Sequence, residues 1–197
     1  MPVVRPALAM DLPGAYRVCL LTGDAGRDGS ALFRNPDLLG HVYVGPYITG
    51  EPDLALVVAD AEGIAGYCLA VADTRAFEAW CEAHWWPMLR AQYPLPADAT
   101  PDGEMVGLIH APAHAPEAVV RDYPAHLHID LLERTRGLGL GRALVERQLS
   151  ALRARGVPGL YLDVANDNAK AIAFYEHLGF AAVHRLETSS LMARRLA

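Results

Sequence analysis

The segment RTRGLGLGR, residues 134–142, combines three glycines with three arginines and runs directly into a helical pattern. The first turn of a helix offers backbone N–H groups without intrahelical partners, together with the positive end of the helix dipole, so it attracts phosphate oxygens. Glycine at alternate positions removes the side chains that would keep an anion away from the backbone. The pattern therefore predicts a cradle for a pyrophosphate, and the alternative is a glycine-rich turn without a ligand. The residues of the predicted cradle are Arg136, Gly137, Gly139, Gly141 and Arg142.

Two known nucleotide-binding patterns differ from this loop to different degrees. The phosphate loop of ATPases needs a lysine followed by Ser or Thr after its last glycine, and no lysine follows these glycines. The dinucleotide fingerprint GxGxxG needs a third glycine where this chain has Arg142. Asp163, at the end of the next predicted strand, would nevertheless suit a ribose hydroxyl. A degenerate dinucleotide-binding domain therefore stands as a competing hypothesis.

The elements that must position the loop form a regular series. AHLHIDLL, residues 125–132, alternates in polarity and predicts a strand with His126, His128 and Asp130 on one face and apolar side chains on the other. The elements predicted after it are the glycine loop, a helix from 140 that ends at Gly156, a strand at 159–165 and a helix at 166–180. This order implies a mainly parallel or mixed α/β sheet.

The first 120 residues are less informative. Asp11 is predicted to cap a helix, Gly63 to supply the turn of a hairpin, and Pro87 to bend or end an aromatic helix. The aromatic stripe of that last helix indicates either core packing or a pocket wall. The predicted elements are a strand at 3–7, a helix at 10–21, a short helix and turn at 35–50, a hairpin at 54–74, the aromatic helix at 74–94, a surface loop at 94–104 and a strand within 105–120.

Composition limits the classes of protein. A chain of 197 residues with 52% hydrophobic content can bury one substantial core, so one domain over 1–197 is expected. The net charge of -6 argues against general binding to nucleic acid. With no basic-then-apolar leader pattern and no apolar run of bilayer length, we expect a soluble cytoplasmic protein. Cys19, Cys68 and Cys81 have no CxxC spacing and are expected as reduced core thiols, and the histidines do not fit structural zinc spacings, so no metal is expected.

Two motifs at a fixed separation carry a family resemblance. Arg136, Gly139 and Gly141 fit the signature R/Q-x-x-G-x-G/A. The pattern N-x-x-A-x-x-x-Y-x-x-x-GF is matched by Asn168, Ala171, Tyr175, Gly179 and Phe180. The chain thus resembles the GNAT superfamily of N-acetyltransferases. From about residue 36 to the end it is also similar to the acetyltransferase-like C-terminal domain of O-GlcNAcase and its free-standing bacterial relatives.

The resemblance implies a fold and a cofactor. The fold is an α/β (α+β) one, with a mixed, mostly antiparallel central sheet, flanking helices and a splayed parallel strand pair at the cofactor site. The cofactor is acetyl-CoA, with its pyrophosphate on the glycine loop and its pantetheine arm and acetyl carbonyl beside the backbone of 130–132. The implied cofactor contacts are Leu131, Leu132, Arg136, Gly137, Leu138, Gly139, Leu140, Gly141, Arg142 and Asn168.

The implied reaction is direct attack of an amine on the thioester. Tyr175 matches the family's acid for the thiolate, although its spacing also suits a core tyrosine. Asp130 is our choice of general base, because a carboxylate beside the acetyl group could accept the amine proton directly or through water. Other candidates for the base are His110, His126, His128, Glu133 and Asp163. Asn168 also suits a helix cap.

The acceptor is not specified by the sequence. An unidentified small-molecule or protein amine is expected, and the resemblance places the aromatic helix and the His-rich segment before the strand at 125–132 on the acceptor side. A module that binds acetyl-CoA without turnover, as a sensor or interaction domain, is the alternative from another class. A homodimer is a family-level expectation.

Overall fold

One seven-stranded sheet organises the protein, for which a computed structural model describes residues 1–95 and 98–196. The strand order is β1-β2-β3-β4-β5-β7-β6, and every neighbouring pair is antiparallel except β4 and β5. The strands are β1 (Val3–Pro6), β2 (Ala55–Asp60), β3 (Gly63–Val71), β4 (Ala125–Leu131), β5 (Gly159–Ala165), β6 (Ala181–Arg185) and β7 (Ser189–Arg195). This mixed, mostly antiparallel sheet confirms the fold implied by the resemblance and differs from the open parallel sheet of dinucleotide-binding domains.

Helices cover both faces of the sheet. Their bounds are α1 (Leu12–Thr22), α2 (Leu38–Tyr43), α3 (Gly45–Gly50), α4 (Thr74–His84), α5 (Trp86–Gln92), α6 (Pro101–His110), α7 (Glu117–Asp122), α8 (Leu140–Ala154) and α9 (Ala169–His177). One core lies between the sheet and α8 with α9, and a second lies between the opposite face and α1 to α6. None of the helices among the described residues is long and apolar enough to cross a membrane.

The polarity pattern of β4 correctly predicted its two faces. Leu127 and Ile129 pack into the core beneath α8 and α9. His126 and His128 point to the other face, where they contact tyrosines. A strand that is apolar on one side and polar on the other therefore runs through the middle of the sheet and ends at the glycine loop.

Several upstream elements match their predictions. Gly63 begins β3 with a φ of 107°, the left-handed region that the hairpin turn needs. The aromatic segment breaks at Trp85, and Pro87 lies in the first turn of the next helix, where its missing N–H costs nothing. The three cysteines are buried and free.

The strand predicted within residues 105–120 is wrong. Residues 101–110 form α6, which begins after Thr100, whose hydroxyl accepts a hydrogen bond of 3.2 Å from the Gly103 N–H. A short apolar run such as MVGLI suits a strand or a helix, and the cap and Pro101 decide for the helix. Of the predicted surface loop at 94–104, residues 96 and 97 lie outside the described part of the chain, and the last four belong to α6.

The capping role predicted for Asp11 is also wrong. Its carboxylate makes no side-chain cap for α1 and instead accepts two hydrogen bonds from the Arg5 guanidinium, at 2.6 and 2.8 Å. It also accepts the Leu8 N–H at 2.8 Å. The Arg5 interaction holds the pKa of Asp11 below its usual range. A bidentate partner from the adjacent strand thus competes successfully with the local cap.

Candidate functional site

The two parallel strands β4 and β5 separate soon after they begin to pair. Their register joins Ala125 to Leu160 and His126 to Tyr161 and extends no further among the described residues. On its other side, β4 stays paired with β3 up to Leu131. A wedge-shaped opening therefore forms in the sheet between the C-terminal halves of β4 and β5, with backbone groups of β4 on its edge.

The glycine loop joins the end of β4 to α8 at this opening. A single 3-10 turn, Glu133–Thr135, leads into the loop. Gly137 and Gly139 have φ values of 75° and 71°, which L side chains rarely adopt, and a Cβ on either would meet no atom within 4 Å. The two left-handed residues turn the chain sharply and leave open space over the start of the helix.

The backbone amides of this turn are available to a ligand. Within the described residues, no carbonyl or side-chain acceptor is hydrogen-bonded to the six N–H groups from Gly137 to Arg142, and the first bond of the turn runs from Ala143 N–H to the Gly139 carbonyl. Gly139 supplies no side-chain cap. Six consecutive free donors at the N-terminus of a 15-residue helix make a strong site for an anion.

The arginines around the loop are balanced by carboxylates. Arg134 pairs with Asp60 at 2.8 Å. Arg136 pairs with Glu133 at 3.2 Å, and Arg142 with Glu146 at 2.7 Å. These last two pairs are exposed and hence weak, so a phosphate could replace the carboxylate partner at small cost.

Close packing explains why the third residue of the loop pattern, Gly141, is a glycine. A Cβ on Gly141 would lie 3.3 Å from both Leu131 Cδ1 and Phe174 Cζ, so glycine here lets α8 approach β4 and α9. The leucines around the loop differ in their environments. Leu131 and Leu140 pack against the core beneath α8, and the Leu132 N–H donates to the Ala65 carbonyl at 2.9 Å. Leu138 is exposed at the tip of the loop.

Tyr175 lies on the buried side of α9. Its ring packs edge-on against Phe174 and Phe180. Its hydroxyl has no hydrogen-bond partner among the described residues, yet the oxygen is not sealed from solvent. Burial raises the pKa of Tyr175 above its usual range, with further contributions from Cys68 and Asp130, so the hydroxyl keeps its proton at neutral pH. A protonated, unpartnered hydroxyl suits a proton donor.

Asn168 forms the cap that its sequence position suggested. Its side-chain oxygen accepts the Ala171 N–H at 3.1 Å at the start of α9. The side-chain amide keeps its own N–H donors, so the cap is compatible with a ligand contact.

Asp130 belongs to a compact hydrogen-bonded cluster on the polar face of β4. The Tyr67 hydroxyl donates to its Oδ2 at 2.5 Å. His128 Nε2 lies 2.9 Å from the Tyr67 oxygen and 3.2 Å from the same carboxylate oxygen. Because the Tyr67 proton goes to Asp130, Nε2 must carry the proton that His128 donates, and Nδ1 is left as an acceptor.

Cys19 lies close to this cluster, which raises the question of a metal site. One ligand atom each from Cys19, His128 and Asp130 lies within 4.8 Å of the others. Burial, with help from Asp130, raises the pKa of the Cys19 thiol to about 12, so the thiolate that a metal would need is disfavoured. The Tyr67 hydroxyl already bonds to the other two groups. The arrangement is better described as a hydrogen-bonded network than as a metal centre.

His126 is a structural residue. Thr74 donates its hydroxyl proton to the Pro124 carbonyl at 2.7 Å, so it accepts from His126 Nδ1 at 2.8 Å. Nε2 then accepts from the Tyr47 hydroxyl at 2.8 Å. Burial, with a smaller contribution from His128, lowers the pKa of His126 to about 3. The ring is neutral and fixed in one tautomer.

A cavity of about 370 Å³ opens on the polar side of the β4–β5 wedge. Its walls come from the aromatic helices α4 and α5, the α2–α3 region and the connection 112–116, while His126 and His128 lie at the sheet. Phe77 and Trp86 are buried and also line this space, so the aromatic stripe serves as both core and pocket wall.

Some residues of the site escaped the sequence analysis. Tyr67 reads as an ordinary strand residue of the hairpin, and its partner Asp130 is 63 positions away. Tyr47 lies in a short helix with no motif and meets His126 across 79 positions. Local patterns carry no signal for such pairs. His110 and Glu133 lie elsewhere: His110 bonds to the Tyr93 carbonyl, and Glu133 is exposed.

Comparisons with known proteins converge on one family. A sequence model described as the Acetyltransferase (GNAT) family matches residues 48–180. Protein O-GlcNAcase of Rattus norvegicus is 26% identical over 188 residues, which is 93% of this chain but only 20% of that protein. A mycothiol acetyltransferase of Streptomyces avermitilis is 29% identical over 152 residues, covering 74% of this chain and 45% of that protein. This chain thus spans about a fifth to a half of the length of these relatives.

A solved structure matches the whole fold. The crystal structure of SsHAT superposes with a TM-score of 0.92 and 39% sequence identity, covering 100% of this chain and 98% of that one. The overall fold of this chain has therefore been observed experimentally.

Proposed function

The chain belongs to the GNAT acetyltransferase family, and from that premise we propose that it moves an acetyl group from acetyl-CoA to an amine by direct attack. One observation carries the proposal: six consecutive free amides, from Gly137 to Arg142, lie directly beside an opening between two parallel strands. Such a site can accommodate a ligand with a diphosphate, which the amides would bind, and a long, thin arm, which the opening would hold.

The residues present fit acetyl-CoA part by part. The amides from Gly137 to Arg142 would hold the pyrophosphate, with the exposed guanidinium groups of Arg136 and Arg142 beside it. The unpaired edge of β4 near Leu131 and Leu132 would hold the pantetheine arm. Asn168, at the start of α9, would add a side-chain contact from the opposite side of the wedge.

The chemistry balances with groups on this chain. When bound, acetyl-CoA supplies an acetyl thioester, whose C–S bond breaks as the bond between the amine nitrogen and the acetyl carbon forms. The amine loses one proton to a base, and the leaving sulfur takes one from an acid. Tyr175 is our acid, because its hydroxyl is protonated, has no partner within the described chain and is not fully sealed from solvent, although the residue is buried.

The base in this proposal works through the cluster on β4. His128 lines the cavity, and its Nε2 proton points into the cluster formed by Tyr67 and Asp130, so Nδ1 can accept the amine proton. The Asp130 carboxylate then stabilises the imidazolium that forms. The sequence suggested Asp130 as the base itself. In this proposal Asp130 acts through His128, because its Oδ2 already accepts the Tyr67 proton.

Binding is the first test. The purified protein is titrated calorimetrically with acetyl-CoA, and NAD serves as the control. Saturable binding of acetyl-CoA alone is expected. Binding of NAD in preference to acetyl-CoA would favour a degenerate dinucleotide site, and failure to bind acetyl-CoA would overturn the proposal.

Turnover separates an enzyme from a binding module. Tyr175→Phe should lower kcat about 100-fold, the lower range for loss of a positioned acid, while the acetyl-CoA affinity stays unchanged. Tyr123→Phe is the control, because Tyr123 lies in a separate packing cluster near Arg195. If Tyr175→Phe turns over at the wild-type rate, Tyr175 is a core residue. Saturable binding with no turnover for any amine would favour the sensor or interaction module.

A further inference from the structure

The cavity beside the β4–β5 wedge has the shape and lining of a small-molecule pocket. Its volume of about 370 Å³ lies at the lower end of the range for sites that enclose small ligands. Five of the side chains that line it are aromatic: Tyr43, Tyr47, Phe77, Trp86 and Tyr161. Flat, rigid rings provide a large contact area for the apolar part of a ligand. The area is largest when that part is itself flat.

One carboxylate of the cavity has no cationic partner among the described residues. Three acidic residues line the cavity. Glu78 is paired with Arg75 at 2.7 Å, and Glu82 is paired with Arg90 at 2.8 Å. For Asp163, no Lys, Arg or His nitrogen lies within 4.0 Å in the part of the chain that the structure describes. The charge of Asp163 is therefore free to recognise a ligand.

Asp163 also lies in the right place. His126 and Tyr161 are the last paired residues of β4 and β5 and face the same side of the sheet. Two residues further along each strand, His128 and Asp163 face the same cavity from opposite sides of the wedge. A cation at Asp163 would therefore lie near the group that we expect to take up its proton.

From this arrangement we propose that the acceptor is a small amine with one positive charge on an aromatic or similarly flat apolar body, held by Asp163 through its ammonium group. The inference rests on the proposed function and specifies its substrate class. The aromatic walls would hold the body, and the single free carboxylate matches a single cation. A polyamine would leave further charges in an apolar cavity, where burying an unpaired charge is costly.

The environment of Asp163 supports this assignment. Asp163 is exposed at the edge of the cavity. Partial desolvation of its carboxyl raises its pKa, against the opposite effect of hydrogen bonds from the Ser189 side chain and the Val164 backbone. An ammonium group bound at this point offsets that desolvation.

The experiment measures binding of unreacted amines to the protein saturated with CoA, which has no acetyl group to transfer. Calorimetry is run with 2-phenylethylamine and tryptamine as ligands. The comparison probes are 2-phenylethanol, which lacks the charge; butylamine, which lacks the ring; spermidine; and a lysine-containing peptide. We expect the two aromatic amines to bind at least about tenfold more tightly than each comparison probe, because both the ring and the charge are needed.

Matched variants test the role of Asp163. Asp163→Asn should weaken aromatic-amine binding roughly ten- to a hundredfold, as expected for loss of a charge-assisted hydrogen bond, and should leave CoA binding unchanged. Asp122→Asn removes one negative charge from an exposed site outside the cavity and should change neither affinity. Thermal melting of both variants shows whether each is folded.

The two proposals fail in different ways. If acetyl-CoA does not bind, the proposed function fails. If CoA binds but the aromatic amines bind no better than butylamine or 2-phenylethanol, the acceptor class is wrong. Tighter binding of spermidine or of the lysine peptide would replace it with a polyamine or a protein acceptor. Equal affinities in Asp163→Asn and wild type would refute the role of that carboxylate.

Discussion

The substitution Gly139→Ala should have two effects, a loss of stability from backbone strain and a loss of acetyl-CoA affinity, and a control can separate them. The φ of 71° at Gly139 puts an alanine at this position into the left-handed region, at a cost of about 1–2 kcal/mol. The new Cβ would stand in open space beside the free amides, where it would disturb contacts with phosphate oxygens. Loss of one hydrogen bond to a charged group costs about 1.5–3 kcal/mol. At 1.4 kcal/mol per tenfold, acetyl-CoA affinity should fall roughly 10- to 100-fold.

Gly156 is the matched control for this substitution. It follows α8 with a φ of 72°, and a Cβ there also meets nothing within 4 Å. Gly139→Ala and Gly156→Ala should therefore lower Tm by a similar amount, about 2–8 °C for a chain of this size. Calorimetric titration of both variants with acetyl-CoA gives the comparison. Equal affinities in the two variants, whether both wild-type or both weakened, would refute the assignment of the loop amides to the phosphates.

Two further substitutions test the β4 cluster and the core. Asp130→Asn should lower kcat about 100-fold with unchanged acetyl-CoA affinity, because the carboxylate that stabilises the charged form of His128 is lost; unchanged turnover would remove Asp130 from the mechanism. Gln148→Leu should lower the free energy of unfolding by about 1–3 kcal/mol in chemical denaturation, since the buried Gln148 amide donates to the Leu54 and Cys68 carbonyls at 2.6 and 2.9 Å. Unchanged stability would mean that water replaces the amide.

Predictions succeeded where the signal was local. The glycine spacing before an amphipathic run predicted the loop, and the structure places Gly137 and Gly139 in the left-handed region there. Alternation in 125–132 correctly gave both faces of β4. These features follow from backbone stereochemistry and from a period of two, both of which are written in neighbouring residues.

Predictions failed where two local signals competed or where a distant partner decided. The apolar run that begins at Met105 is compatible with a strand or a helix, and the Thr100 cap favours the helix. Asp11 has the chemistry of a cap, but the Arg5 guanidinium binds it instead. The strands β6 and β7 were not predicted from residue patterns. Every residue of β6 is exposed, so β6 lacks the alternation that marks a strand with one buried face.

The sequence by itself determined the glycine loop, the strand that leads to it and the family resemblance, because these depend on residues close together along the chain. The tertiary structure alone decided where β4 and β5 separate, that Tyr67 lies against Asp130 and His128, and that one carboxylate in the cavity, Asp163, has no cationic partner in the described part of the chain. Those features join segments that are distant along the chain, 61 and 63 positions for Tyr67 and its two partners, or depend on the absence of a partner. They arise only when packing brings the faces of the sheet and the helices together.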